Sequence, residues 1–276
     1  MRIKPVSSTP NLGKLILLYS ETGVGKSTSC FQSLPLPILY MCAEARNAEL
    51  SALASGRNLK RGDFETPGDY VIAEYTQWDE YIKFLNDPSN FNMFASIVSD
   101  GETQLASNLA IEIEDQAFEY RAKSLDNSKG DKIIDKPLAS QAKLSEEGYG
   151  TLASHMNRSI IALGKLTQAG KFVVINALLQ SETRWDNTVY ASPSFTGKKF
   201  GSDLPGACDL IGMVTSRYDN DGKLVFPPTV KFERGPSENF KCKWTGPKIK
   251  AYTDGGQEIP DVLMQMPLDF RIILGA

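Results

Sequence analysis

One histidine, His155, is all that 276 residues contain. A histidine-built metal centre is therefore excluded, and a Ser-His-Asp arrangement has only that residue to use. His155 sits among Leu152, Met156 and Ile160 at helical spacing, the setting of a structural side chain. Cysteine is nearly as scarce: Cys30, Cys42, Cys208 and Cys242 show no CxxC spacing and lack the density of a disulfide-stapled secreted domain. Free thiols in a reducing, cytoplasmic setting are expected. Long hydrophobic runs are missing too. The longest, Phe172 to Leu179, is far too short to span a bilayer, and no charged segment followed by an apolar stretch opens the chain, so no membrane partner is expected. Nor is there a basic excess. A net charge of -3 excludes coating of nucleic acid by bulk charge and confines any polyanion site to a local patch.

What is present suits one large α/β domain over residues 1–276, with 41% hydrophobic residues to fill its core. Leu15 to Tyr19 is a wholly apolar run, as a strand buried on both faces should be, and it enters a glycine-rich turn. Ser27 to Leu34 then predicts a helix, stopped by Pro35 and Pro37. "PILYMC" reads as a second strand ending at Ala43-Glu44, and "MFASIVSD" as a third closed by Asp100. Residues 46 to 90 read as mixed and polar, with one helix around Gln77 to Leu85. Leu105, Leu109 and Ile113 mark a helix after the third strand, and Leu152, Met156, Ile160 and Leu163 mark another before the fourth strand, "FVVINALL". Between those helices, 124–148 reads as a polar insertion. Strands alternating with helices predict a mainly parallel sheet flanked by helices. Past a long polar stretch at 181–206, the runs Ile211 to Arg217, Leu224 to Phe226 and Thr229 to Glu233 predict antiparallel strands at the sheet edge.

The turn after the first strand carries the clearest chemistry. Ser20-Glu21-Thr22-Gly23-Val24-Gly25-Lys26-Ser27-Thr28 lies between a strand and a helix, which is the context a phosphate-binding loop needs. Glycines let the backbone approach a triphosphate, Lys26 would reach its β- and γ-phosphates, and the Ser27 hydroxyl would ligate Mg²⁺. The first position of such loops is usually glycine, and here it is Ser20, small enough for the turn. Asp100, at the end of a buried strand, is a natural anchor for a Mg²⁺ water, with Glu102 as an alternative carboxylate. Glu44 has two readings: a base that orients the attacking water, or a solvated strand-end charge beside Arg46. Gln180, past the fourth strand, is either a γ-phosphate sensor or a surface amide.

In this order the segments "YSETGVGKST", "ILYMCAEA", "SIVSDGETQL", "EEGYGTLASHM", "FVVINALLQSE" and "LPGACDLIGMV" resemble the RecA-like P-loop ATPases. Among them the chain looks most like phage nucleotide-binding proteins, a group that includes single-strand annealing ATPases. The resemblance implies ATP with Mg²⁺, single-stranded DNA as a partner, a homo-oligomeric ring or filament, work beside a single-strand-binding protein, and a role in recombination or annealing. It also implies that the loop after the fourth strand contacts DNA. Here Arg184, Trp185, Tyr190, Phe195, Lys198, Lys199 and Phe200 offer cations for phosphates and rings for bases. Relatives complete the site with a cation from a neighbouring subunit, for which Arg234, Lys241 and Lys243 are candidates. Residues 198 to 250 hold ten Lys and Arg against six Asp and Glu, a local reversal of the overall charge. Two other functions share the loop: a nucleotide-stabilised binding module with little turnover, and a small-molecule kinase.

Overall fold

A computed structural model describes residues 13–43, 48–126, 144, 146–183, 187–196, 198–218, 221, 224–232, 240–243, 251–252, 258–259 and 263–271. The elements in chain order are β1 (Leu15–Ser20), α1 (Lys26–Ser33), β2 (Ile38–Cys42), α2 (Ala48–Ala54), β3 (Tyr70–Glu74), α3 (Trp78–Asn86), β4 (Ser96–Asp100), α4 (Glu102–Asp126) and α5 (Glu146–Gln168). They continue with β5 (Phe172–Thr183), β6 (Val189–Pro193), α6 (Lys198–Ala207), β7 (Leu210–Tyr218), β8 (Leu224–Lys231), β9 (Ala251–Tyr252), β10 (Glu258–Ile259) and β11 (Leu263–Gln265).

The apolar runs become the centre of one sheet because each can be buried on both faces. Strands β3, β2, β4, β5, β1 and β7 lie side by side in parallel. β8 adds to β7 and β11 to β8, both antiparallel, so the sheet has the mainly parallel centre and antiparallel edge that the sequence predicts. Side chains alternate between faces. Leu39, Met41, Ile97, Val173 and Ile175 pack with Trp78, Leu105, Leu109, Met156 and Leu163 from α3, α4 and α5. Ile38, Tyr40, Val98 and Val174 pack on the opposite face with Cys30 and Phe31 of α1 and with Leu268 and Phe270. His155 belongs to the first layer, edge-on to Trp78 with ring centres 5.3 Å apart, and burial pushes its imidazole below the ordinary value. All four cysteines are free thiols. No helix among the described residues is long and apolar enough to cross a membrane.

Four features depart from the sequence reading. β3 lies within the stretch read as mixed and polar; its apolar run, Tyr70 to Ala73, is only four residues long, stands at the sheet edge and is closed by the exposed Glu74. Within 181–206 most of the described residues are secondary structure: β5 runs on to Thr183 and pairs antiparallel with β6, and α6 follows. Leu224 to Lys231 forms one strand despite Pro227 and Pro228, because a register shift in β7 between Thr215 and Arg217 removes the ladder bonds those prolines could not donate. Finally, residues 266–270 are strapped along α1. Ser29 Oγ accepts from the Leu268 N–H (2.8 Å), and Ser33 Oγ accepts from the Phe270 N–H (2.8 Å) while donating to the Leu268 carbonyl (3.0 Å). The polar insertion overlaps the ends of α4 and α5, and its central part, 127–143, lies outside the described residues.

Candidate functional site

β1 delivers the chain to the edge where the parallel strands end, and the turn into α1 depends on glycine. Gly23 has φ 78° and Gly25 φ 93°, a region that costs a side chain strain. Gly25 is also the N-cap of α1, which no side chain caps and whose first turn carries no acidic residue. The helix therefore presents bare N–H groups and the positive end of its dipole, the elements of an anion site. They face a shallow groove of about 330 Å³ lined by Gly23 to Thr28 and by Leu50, Ser51 and Ala54 of α2.

Lys26 folds back over this turn. Its ammonium donates to Ser20 Oγ (2.5 Å) and to the Glu21 carbonyl (3.0 Å), and Ser20 Oγ in turn donates to the Glu21 carbonyl (2.6 Å). Ser20 is fully buried, so its hydroxyl acts as an internal partner for the lysine. A phosphate chain has to draw Lys26 away from it. Ser20→Gly leaves the carbonyl contact and removes the hydroxyl; the expected result is a gain in ATP affinity of about tenfold or more by titration, since a hydrogen bond to a charged group contributes about 1.5–3 kcal/mol and each 1.4 kcal/mol is a factor of ten. Weaker binding by the variant would show that the hydroxyl supports the bound state instead.

Ser27 and Asp100 meet across the site. Ser27 Oγ donates to Asp100 Oδ2 at 2.9 Å. The same oxygen accepts a short bond from the Tyr40 phenol, and Asn176 Nδ2 donates to Oδ1 at 2.8 Å. Burial and the neighbouring Asp100 charge push the Tyr40 phenol well above its ordinary range, so it acts as a donor. No group of three or more His, Cys, Asp or Glu side chains that could hold a metal exists among the described residues. The pair Ser27 and Asp100 nevertheless fits Mg²⁺, which keeps most of its waters and takes one or two protein oxygens beside phosphates.

Glu102 does not belong to this set. Adjacent residues of β4 point to opposite faces, and Glu102 accepts from Ser99 Oγ (2.7 Å), on the face away from Asp100. It is fully buried, its Oε1 has no partner among the described residues, and burial raises its carboxyl to about 7. Its expected role as an alternative metal carboxylate is thus corrected. Glu44 lies outside the described residues; the preceding Ala43 donates its N–H to the Asp100 carbonyl at 3.1 Å. Gln180 sits in the hairpin, where its amide donates to Glu182 Oε1 (3.2 Å) and Ser192 Oγ (3.3 Å). The β5 residue beside Asp100 is Asn176, in direct register with it. Neither Tyr40 nor Asn176 was picked out from the sequence. The only signal for them was a polar atom inside an otherwise apolar strand.

The candidate DNA contacts separate into two groups. Phe195 and Phe200 are core residues, edge-on to each other with ring centres 4.8 Å apart, and a buried ring cannot stack on a base. Tyr190 is half-buried on β6 opposite Glu182. Lys198 and Lys199 open α6, though their side chains lie outside the described residues, and Arg184 and Trp185 lie outside them altogether. Of the trans-acting candidates, Arg234 is likewise outside. Lys241 donates to the Gly201 carbonyl of α6 (3.1 Å) and Lys243 to the Cys208 carbonyl just after it (2.5 Å).

No protein-family model matches the chain, and no curated protein matches it. Among solved structures it is similar to a KaiC-like protein of the hyperthermophilic archaeon Pyrococcus horikoshii, at 12% identity and a TM-score of 0.44, over 84% of this chain and 83% of that one.

Proposed function

We propose that this protein is a RecA-like, Mg²⁺-dependent ATPase that couples its nucleotide state to single-stranded DNA in recombination or strand annealing. The observation that carries the nucleotide half is the meeting of Ser27 and Asp100 at 2.9 Å beside the uncapped N-terminus of α1. Mg²⁺, when bound, supplies charge neutralisation between the β- and γ-phosphates. The chain's own groups do the rest. Backbone N–H groups of the loop and α1 hold the phosphates, and Lys26 leaves Ser20 to pair with them. Asp100 orients the metal's water through a hydrogen bond. Glu44 takes the proton of the attacking water in this reading.

The DNA half is supported by β5. It runs without a break from Asn176, which touches Asp100, to Thr183 in the hairpin, one residue short of Arg184 in sequence. The base of the hairpin is tied to the start of α4: Thr103 Oγ1 accepts from the Leu178 N–H (2.9 Å) and donates to the Ser194 carbonyl (2.7 Å). A change in Asp100 on nucleotide binding therefore has a short, hydrogen-bonded path to the hairpin. Steady-state ATP hydrolysis with and without single-stranded oligonucleotide tests the coupling. Stimulation that is lost in an Arg184→Ala, Trp185→Ala double variant is expected. Hydrolysis indifferent to DNA would reject it.

A further inference from the structure

Asp100 is held by more than its partner in the phosphate loop. We infer that Tyr40 and Asn176 are positioning residues that fix the Asp100 carboxylate for the metal, an inference that rests on the proposed nucleotide reading. Three donors converge on one carboxylate: Ser27 and Tyr40 on Oδ2, Asn176 on Oδ1. They come from α1, β2 and β5, elements brought together only by the sheet. A carboxylate offers about four acceptor positions. With three occupied by protein donors, the group cannot rotate, and the remaining position on Oδ1 is the one open to a metal-bound water.

The surroundings show that these two side chains are not ordinary core. Tyr40 is fully buried and stacks on Phe31, with ring centres 4.7 Å apart and planes 19° from parallel. The ring alone would satisfy that packing, so the hydroxyl is superfluous except for Asp100. Asn176 stands in a strand otherwise filled by Val173, Val174, Ile175 and Ala177, all buried. Its Nδ2 serves Asp100, while its Oδ1 is buried and has no partner among the described residues. An amide there is costly unless one of its ends has work, and an unpaired acceptor beside Asp100 suits a second water of the same metal. A leucine would fill the space and do neither.

The test separates metal binding from nucleotide binding and from folding. Tyr40→Phe retains the ring, and Asn176→Ala removes the amide. Each is titrated with a fluorescent ATP analogue, first in EDTA and then with increasing Mg²⁺, beside a thermal melt. The expected result is unchanged affinity in EDTA and about a tenfold rise in the Mg²⁺ concentration for half-saturation, the size of effect that partners of metal ligands produce. Saturating Mg²⁺ should restore both the binding and the hydrolysis rate of Tyr40→Phe, because Asp100 itself remains. Half-saturation equal to wild type in a Tyr40→Phe protein of normal melting temperature would overturn the inference while leaving the nucleotide reading intact. Equal losses with and without Mg²⁺ would also overturn it, by showing a scaffold role. If wild type itself binds no nucleotide, the reading beneath the inference fails, and the inference falls with it.

Discussion

Lys26→Ala is expected to weaken ATP binding at least a hundredfold, and hydrolysis with it. In the proposed role the side chain would supply a full positive charge to the β- and γ-phosphates, and charge-assisted hydrogen bonds contribute about 1.5–3 kcal/mol each. Losing two of them corresponds to about 3 kcal/mol or more, and each 1.4 kcal/mol is a factor of ten. The fold should barely notice, since Lys26 donates to the Ser20 hydroxyl and to the carbonyls of Ser20 and Glu21 within its own loop. Binding titrations and a thermal melt of the same preparation make the distinction. A variant with normal melting and an ATP affinity within threefold of wild type would remove the phosphate-loop assignment. Loss of melting temperature along with binding would show instead that the lysine holds the turn together.

Glu102→Gln should stabilise the protein at pH 8 and make no difference at pH 4. The folded protein holds the Glu102 proton to about pH 7, against an ordinary value of 4.5, because the carboxyl is buried. Below the ordinary value both folded and unfolded chains carry the proton, and the native state keeps its full stability. As the pH rises towards 7, the unfolded chain releases a proton that the folded chain retains, so stability falls; above 7 the loss is complete. A shift of this size corresponds to roughly 3 kcal/mol, at 1.36 kcal/mol per pH unit. Glutamine mimics the neutral acid and can still accept from Ser99, so it removes this slope. Melting temperatures from pH 4 to 8 for both proteins should converge at the acid end and diverge at the other. A constant offset across that range would mean that the Glu102 carboxyl is not held protonated.

How much could be read without coordinates depended on whether the signal was local. The phosphate loop was legible because its parts are consecutive: an apolar strand, two glycines with positive φ, then Lys26 and Ser27 opening a helix. Asp100 was legible as the polar end of a buried run. β3 escaped because its apolar run, Tyr70 to Ala73, is short and set in a long polar stretch. The hairpin escaped because β5 past Leu179 and the first residues of β6 are exposed or half-buried, so polar residues there read as loop. Phe195 and Phe200 were misjudged for the converse reason: aromatic side chains in a polar stretch suggest a ligand, yet these two meet in the core.

By itself the sequence determined the class of fold, the turn that suits a phosphate, and the pairing of Ser27 with a distant carboxylate. Periodicity and local backbone freedom are properties of neighbouring residues, and they need no knowledge of where the rest of the chain goes. Only the tertiary structure decided which polar atoms surround Asp100 and that Glu102 faces away from it. Those outcomes turn on strand order and on which face a side chain takes. Tyr40 and Asn176 lie far apart in sequence and meet at one carboxylate because β2 and β5 flank β4 on either side.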